Sequence, residues 1–324
     1  MDYQEISSKA KEKIYTLLEQ GLFNESVKEI DTLLNLTPQN PELINAYRTA
    51  RFWQNREEKI KNLPEGKETA DFLMKEWNIF DQFLAKQKET PSYGYQKTMR
   101  YIFFKASENY QTAFKKNENT TSSFDLLLKL GNCFLKINEY KKAIQTLEYA
   151  RSLYSDNAYL LSNLAEAYFQ IDDLSTSLLY FKEAFFINPS EIELHNLKAD
   201  PILKLIKKIK EEQGQEIDIR EWIPIYAFTE DVFYVRRNIT KSLIINIEKE
   251  IYKFEVRFNK MDEKTKRTTK LLPRLINRYL WMLDYYEFQN YNLENINQLK
   301  KRLTTLRPNL FTTFFQKENS KKST

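Results

Sequence analysis

The sequence predicts an all-α protein: an array of helical hairpins (an α-solenoid) followed by a smaller helical domain. Three observations predict it. Two stretches of 34 residues, 124–157 and 158–191, match one another in their apolar and small positions, and a 34-residue period is the length of one helix–turn–helix unit. The chain of 324 residues has 5 Gly and 9 Pro, few punctuators for a many-turned β fold. Apolar residues recur at three- and four-residue spacings along most of the length.

The elements follow in order. Residues 7–40 read as a weak first hairpin, with Gly21, Leu22 and Phe23 at its turn and Leu33 and Pro38 at later offsets. Ile14 stands where the other copies carry a small residue, so this hairpin is expected to be looser. Residues 42–61 read as a helix, the first of another degenerate pair, and Leu63, Pro64, Glu65 and Gly66 break it. A helix is expected over 67–88, a break at Thr90, Pro91 and Ser92, and a long helix over 93–116. Its Met99, Ile102, Phe103, Ala106, Tyr110 and Phe114 share one face. Residues 117–123 read as a loop.

The two best copies then explain themselves sterically. Leu127 matches Leu161, Leu130 matches Leu164, Gly131 matches Ala165, Phe134 matches Tyr168, Ala143 matches Ser177, Leu147 matches Phe181 and Ala150 matches Ala184. Small residues at matched offsets permit two helices to cross closely, and the large ones fill the remaining volume. Asn138 and Glu139, then Asp172 and Asp173, supply the turns, and Pro189 closes the second copy because proline cannot continue a helix. This pattern of large, small and aromatic positions resembles the tetratricopeptide repeat (TPR) family. The first copy departs from it at Ser155, where Pro is usual. The resemblance covers about a fifth of the chain. It implies a curved array whose concave wall binds partners.

Beyond residue 191 the repeat decays. Residues 192–199 are expected to start a helix, interrupted at Asp200 and Pro201, and Ile202, Leu205, Ile206 and Ile209 form an amphipathic stripe suited to a capping helix that ends at Gly214. Residues 232–237 read as extended or loop. Ile244, Ile247, Ile251, Phe254 and Phe258 form a heptad-type seam. A polar break is expected over 261–269, helices over 271–286 and 293–306, the last ended by Pro308, and a disordered tail over 317–324. The domain expectation is 1–118, a degenerate repeat region; 119–213, the hairpin pair with its cap; 214–316, a helical domain; and the tail. Glu221, Trp222, Ile223 and Pro224, with Leu272 to Tyr279, resemble the tail region of TPR scaffold proteins from spirochaete-type bacteria. Some of those serve at the flagellar motor, so the resemblance implies a bacterial envelope or flagellar-motor assembly.

Composition narrows the function. Net charge is +5, but from Lys241 onward 18 Lys and Arg face 9 Asp and Glu. A single cysteine, Cys133, excludes an internal disulfide framework and a cysteine-rich zinc site. It is expected to be a small buried hydrophobe. The N-terminus lacks the pattern of a secretory leader, and no uncharged apolar run reaches the ~18 residues of a membrane span. The expected location is cytoplasmic, or peripheral at the inner membrane through a partner. His195 is the lone histidine and is expected to be a partly buried packing residue. No zinc motif, phosphate-cradling loop or nucleophile–base pattern is present. The carboxylate pairs Asp172/Asp173 and Glu211/Glu212 read as solvated charge. The expectation is a non-enzyme without cofactor.

Two candidate surfaces remain. The resemblance puts Asp125, Leu128, Asn132, Leu135 and Lys136 of one hairpin on the concave wall, and Tyr159, Ser162, Asn163, Glu166, Phe169 and Gln170 of the other. A carboxylate clamp is excluded, because Leu128 and Glu193 stand where clamp cations are required. The mixed wall suits an amphipathic helix or an extended peptide of a partner protein, with Tyr159 and Phe169 as aromatic anchors. This chain's own helix over 93–116, or one from the C-terminal part, fits the same wall. The second surface is basic: Lys253, Arg257, Lys260, Lys264, Lys266, Arg267, Lys270, Arg274 and Arg278, opposed only by Glu255, Asp262 and Glu263. Arg236 and Arg237, next to Tyr234, extend it if the fold brings them near. It reads either as a solvated corner or as a phosphate-contacting patch for nucleic acid or anionic lipid. The leading expectation is a protein–protein scaffold or adaptor, and the alternative is a nucleic-acid-binding regulator.

Overall fold

The computed structural model describes residues 3–87, 91–116, 120–213, 217–235, 239–289 and 292–322, with side chains omitted for 3–7, 120–122, Arg267 and 318–322. The described residues form sixteen α-helices and no strand, an all-α array of helical hairpins. The chain divides into two compact units, Met1–Ser155 and Asp156–Thr324. The division falls between the two best-matched hairpins.

The first unit holds α1 (Tyr3–Glu19), α2 (Phe23–Leu36), α3 (Pro41–Asn62), α4 (Lys67–Lys86), α5 (Tyr93–Lys115), α6 (Thr120–Lys136) and α7 (Tyr140–Leu153). In the α6–α7 hairpin a Cβ added to Gly131 would lie 2.4 Å from a Leu147 methyl. The matched small residue therefore sets how closely the two helices approach. Around α1 and α2, where Ile14 replaces that small residue and is fully buried, the two helices touch less extensively.

The expected neighbours α3 and α4 do touch, through Trp53 on Trp77, Phe52 on Phe80 and Arg56 2.6 Å from Glu76, but each packs its backbone more extensively on another helix. Helix α3 packs on α2, and α4 pairs with α5. Helix α5 also lies against α1 and α3, where Gly94 brings its backbone within van der Waals reach of Leu18 and Ala46. Its Tyr101 ring covers the turn at Gly21, so that any Cβ there would fall inside the ring. A cluster of Phe23, Trp53, Trp77, Phe80, Tyr95 and Phe103 fills the space between these helices. The chain's own fifth helix thus occupies the space beside α1 and α3. The loop expected over 117–123 is helical from Thr120, and 117–119 lie outside the described residues.

The second unit holds α8 (Ala158–Phe169), α9 (Leu174–Ile187), two short 3₁₀ turns (Pro189–Glu191 and Leu194–Asn196), α10 (Asp200–Gln213), α11 (Ile219–Thr229), α12 (Lys241–Asn259), α13 (Glu263–Thr268), α14 (Leu271–Phe288), α15 (Leu293–Leu306) and α16 (Pro308–Lys322). Ala165 and Ser177 at the α8–α9 crossing are fully buried. Three sequence expectations are corrected here. Residues 192–199 form no α-helix, and Asp200 and Pro201 begin α10 instead of interrupting it, because proline is accommodated in a first turn whose N–H groups have no partner anyway. By the same logic Pro308 starts α16, and the helix continues through 317–322, where a disordered tail was expected. The break over 261–269 contains α13, begun by the Asp262 side chain accepting from the Thr265 N–H.

Three hairpins share one turn. Gly21, Asn138 and Asp172 each take a left-handed φ of +73°, +63° and +63°. In each, the next residue's N–H reaches back five residues: Leu22 to Leu17, Glu139 to Phe134 and Asp173 to Tyr168, at 2.9–3.0 Å. This is the helix-terminating bond pattern that glycine, asparagine and aspartate tolerate best. The second helices α2, α7 and α9 are each 14 residues long.

Candidate functional site

The basic stretch of the second unit divides into two groups with different surroundings. On α14 the cations hold the fold. Arg274 grips Glu221 of α11 with Nε 3.1 Å and an NH2 nitrogen 2.6 Å from the carboxylate, and Glu221 is 1% exposed. The Ser190 hydroxyl donates to the same carboxylate at 3.0 Å. Arg278 pairs with Glu250 at 2.5 Å and donates to the Phe186 carbonyl at 2.9 Å, while the Asn277 amide donates to the Phe185 carbonyl at 3.2 Å. These two donors satisfy carbonyls in the last turn of α9, which have no partner within their own helix, and a cation there is favoured by the helix dipole. From the α9 side, buried Lys182 reaches Asp284 of α14 at 2.7 Å. Before α14, Lys270 lies 2.7 Å from Asp218, which also binds Arg220 at 2.8 Å. Hydrogen bonding from Arg220, followed by Lys270, outweighs burial and holds the Asp218 carboxyl down to about 2. Lys266 pairs with Glu263 at 2.8 Å.

On α12 the cations are different. Lys253, Arg257 and Lys260, with Lys249 one turn before them and Lys264 beyond them, are exposed and form no ion pair among the described residues. Beside that row, Ile245, Tyr252 and Val256 are 50%, 68% and 38% exposed. Their spacing of seven and four residues places them on one face. The opposite face buries Ile244, Ile247 and Ile251, three positions of the seam read from the sequence, against α14, while Phe254 and Phe258 are half-buried. Helix α12 is therefore apolar on two sides, with one apolar stripe facing solvent beside a row of cations unpaired among the described residues. Sequence reasoning picked out the charges and missed this stripe; the signal for it was three large apolar residues out of phase with the seam. The side chain of Arg267 and both Arg236 and Arg237 lie outside the described residues.

The expected concave wall is unevenly accessible. On α6, Leu128, Asn132, Leu135 and Lys136 are half-buried, and exposed Asp125 pairs with Lys129 at 3.1 Å. On α8, Ser162, Asn163 and Glu166 are buried, and Tyr159, Phe169 and Gln170 are half-buried. The Glu166 carboxylate is already occupied. It accepts the N–H groups of Lys198 and Ala199 at 2.9 and 3.2 Å and the Gln170 amide at 2.8 Å. A carboxylate at the start of α10 offsets that helix's unpaired donors and its dipole. Glu166 thus serves its own fold, a correction to its expected place on a partner-facing wall.

Two further expectations resolve differently. Cys133 is buried, as its neighbours suggest, and burial pushes its thiol up to about 12. His195 is exposed in the second 3₁₀ turn instead of packed, because the chain leaves the helical path before it. Among the described residues no group of His, Cys, Asp and Glu is arranged to hold a metal ion, and no helix is long and apolar enough to cross a membrane. No protein-family model matches this sequence, and no curated protein matches it.

Proposed function

We propose that the protein is a non-catalytic interaction scaffold, and that an acidic amphipathic segment of a partner protein docks on the outward face of α12. The observation that carries this reading is the exposed stripe of Ile245, Tyr252 and Val256 beside Lys249, Lys253, Arg257 and Lys260, none of them ion-paired among the described residues. An apolar stripe supplies binding energy through desolvation, and the unpaired cations select a partner of opposite charge and steer its approach. Tyr252 has the composition of an anchor: large, rigid and amphipathic. The half-buried Leu128, Asn132 and Leu135 on α6 form a second, smaller face that suits the same role, the one the repeat resemblance implies. A scaffold of this kind suits a bacterial envelope assembly, the setting implied by the resemblance in the tail.

The row of cations also favours a second reading, nucleic acid held by its phosphates. The apolar stripe argues for protein, since phosphate contacts make no use of it. The test is photo-crosslinking from a benzoylphenylalanine placed at Tyr252 in the full chain, in cells of its source. The proposal expects one protein to crosslink there through an acidic segment, and to be lost when Lys253 and Arg257 are changed to Glu. Nucleic acid at position 252, with affinity falling linearly in the logarithm of salt concentration, would establish the second reading instead.

A further inference from the structure

In the second unit, α10, α11, the end of α12 and the corner between α15 and α16 line a half-open cavity of about 850 Å³. That is within the range of volumes that hold small organic ligands. Trp222, Phe258, Leu272 and Leu306 supply apolar wall. Arg307 stands at the corner with its guanidinium carbon 4.4 Å from the Trp222 ring centre. Its Nε is buried with no hydrogen-bond partner, and its side chain makes no hydrogen bond or ion pair among the described residues.

The other charged groups of the cavity are satisfied. Lys266 lies 2.8 Å from Glu263, and Glu212 accepts the Tyr226 hydroxyl at 2.8 Å. Arg307 is therefore a cation without a hydrogen-bond or ion-pair partner among the described residues, in a partly desolvated wall. A guanidinium carries five N–H donors in a rigid fork that fits a carboxylate or a phosphate, and stacking on an indole fixes that fork in one orientation. A polar group left without partners in such a place costs free energy, and an arriving oxyanion removes the cost. The first turn of α16 reaches the same wall at Asn309, which adds the positive end of a helix dipole. Burial lowers the guanidinium pKa, but arginine stays charged at neutral pH.

We propose that this cavity binds a small organic anion, its apolar body on Trp222 and Phe258 and its carboxylate or phosphate oxygens on Arg307. The site is separate from the outward face of α12 and does not depend on it.

The experiment is calorimetric titration of the full chain with three probes of one shape: 1-naphthyl phosphate, 1-naphthoate and the neutral 1-naphthalenemethanol. At least one anion is expected to bind at least about tenfold more tightly than the neutral alcohol, the difference that one charge-assisted contact supplies. The tighter of the two identifies a phosphate or a carboxylate ligand. Arg307→Met is expected to remove that preference. Thr305 is an exposed lining residue, and Thr305→Trp, which leaves Arg307 in the sequence, is expected to block the anion even if the first variant fails to fold. Equal binding of anion and alcohol, no heat from any probe at millimolar concentration, or unchanged anion affinity in Thr305→Trp would overturn the proposal.

Discussion

Helices α12 and α14 carry the two halves of one basic stretch, and their cations do opposite things. Arg274 and Arg278 of α14, with Lys270 just before it, are joined to Glu221, Glu250 and Asp218, and Arg278 also reaches the end of α9. Lys253, Arg257 and Lys260 of α12 and its C-terminal end pair with nothing among the described residues. The difference teaches that a run of charge in a sequence is not one feature. Its members become structural or available according to acids that lie 28 to 53 residues away in the chain.

The comparison is broken most directly at Arg274. Arg274→Met leaves the buried Glu221 carboxylate with only the Ser190 hydroxyl, and loss of one partner from a buried pair costs about 3–5 kcal/mol. The urea midpoint followed by tryptophan fluorescence is expected to fall accordingly. A steric break provides the contrast. Gly131→Val drives two methyls into Leu147, and overpacking costs about 2 kcal/mol or more.

A smaller effect comes from pH. The Asp218 carboxyl sits at about 2 in the folded chain, below the ~4 of an unfolded aspartate. Its contribution is complete above about pH 4 and is lost as pH falls through about 2. Between pH 5 and pH 2.5 the wild-type midpoint should therefore fall further than that of Asp218→Asn. The smallest effect on stability belongs to α12. Changing Lys253, Arg257 and Lys260 together to Gln should move stability by no more than about 0.5 kcal/mol per site, since they are exposed and form no ion pair among the described residues.

The hairpins were legible because steric demand repeats at fixed offsets. Gly131 and Ala165, Ala143 and Ser177, and the turn residues Asn138 and Asp172 each recur after 34 residues, and the structure puts the same bond pattern at both turns. Pairings without a period were not legible. Nothing in residues 41–62 says that α3 packs more extensively on α2 and α5 than on α4. Nothing near Glu166 announces that residues 198 and 199 will claim its carboxylate. The prolines at 201 and 308 read as breaks in the sequence because a proline that cannot continue a helix can still begin one, as both do here. Of the candidate surfaces, the basic run was visible as charge, while the stripe of Ile245, Tyr252 and Val256 was masked by the stronger seam on the same helix.

One measurement bears on the central claim: capture of the protein crosslinked at Tyr252 by the Lys253, Arg257 and Lys260 triple Gln variant, read beside that variant's urea midpoint. The account predicts a midpoint moved by no more than about 0.5 kcal/mol per site and a loss of capture of about tenfold or more. Undiminished capture, or a midpoint lowered as far as that of Arg274→Met, would contradict it.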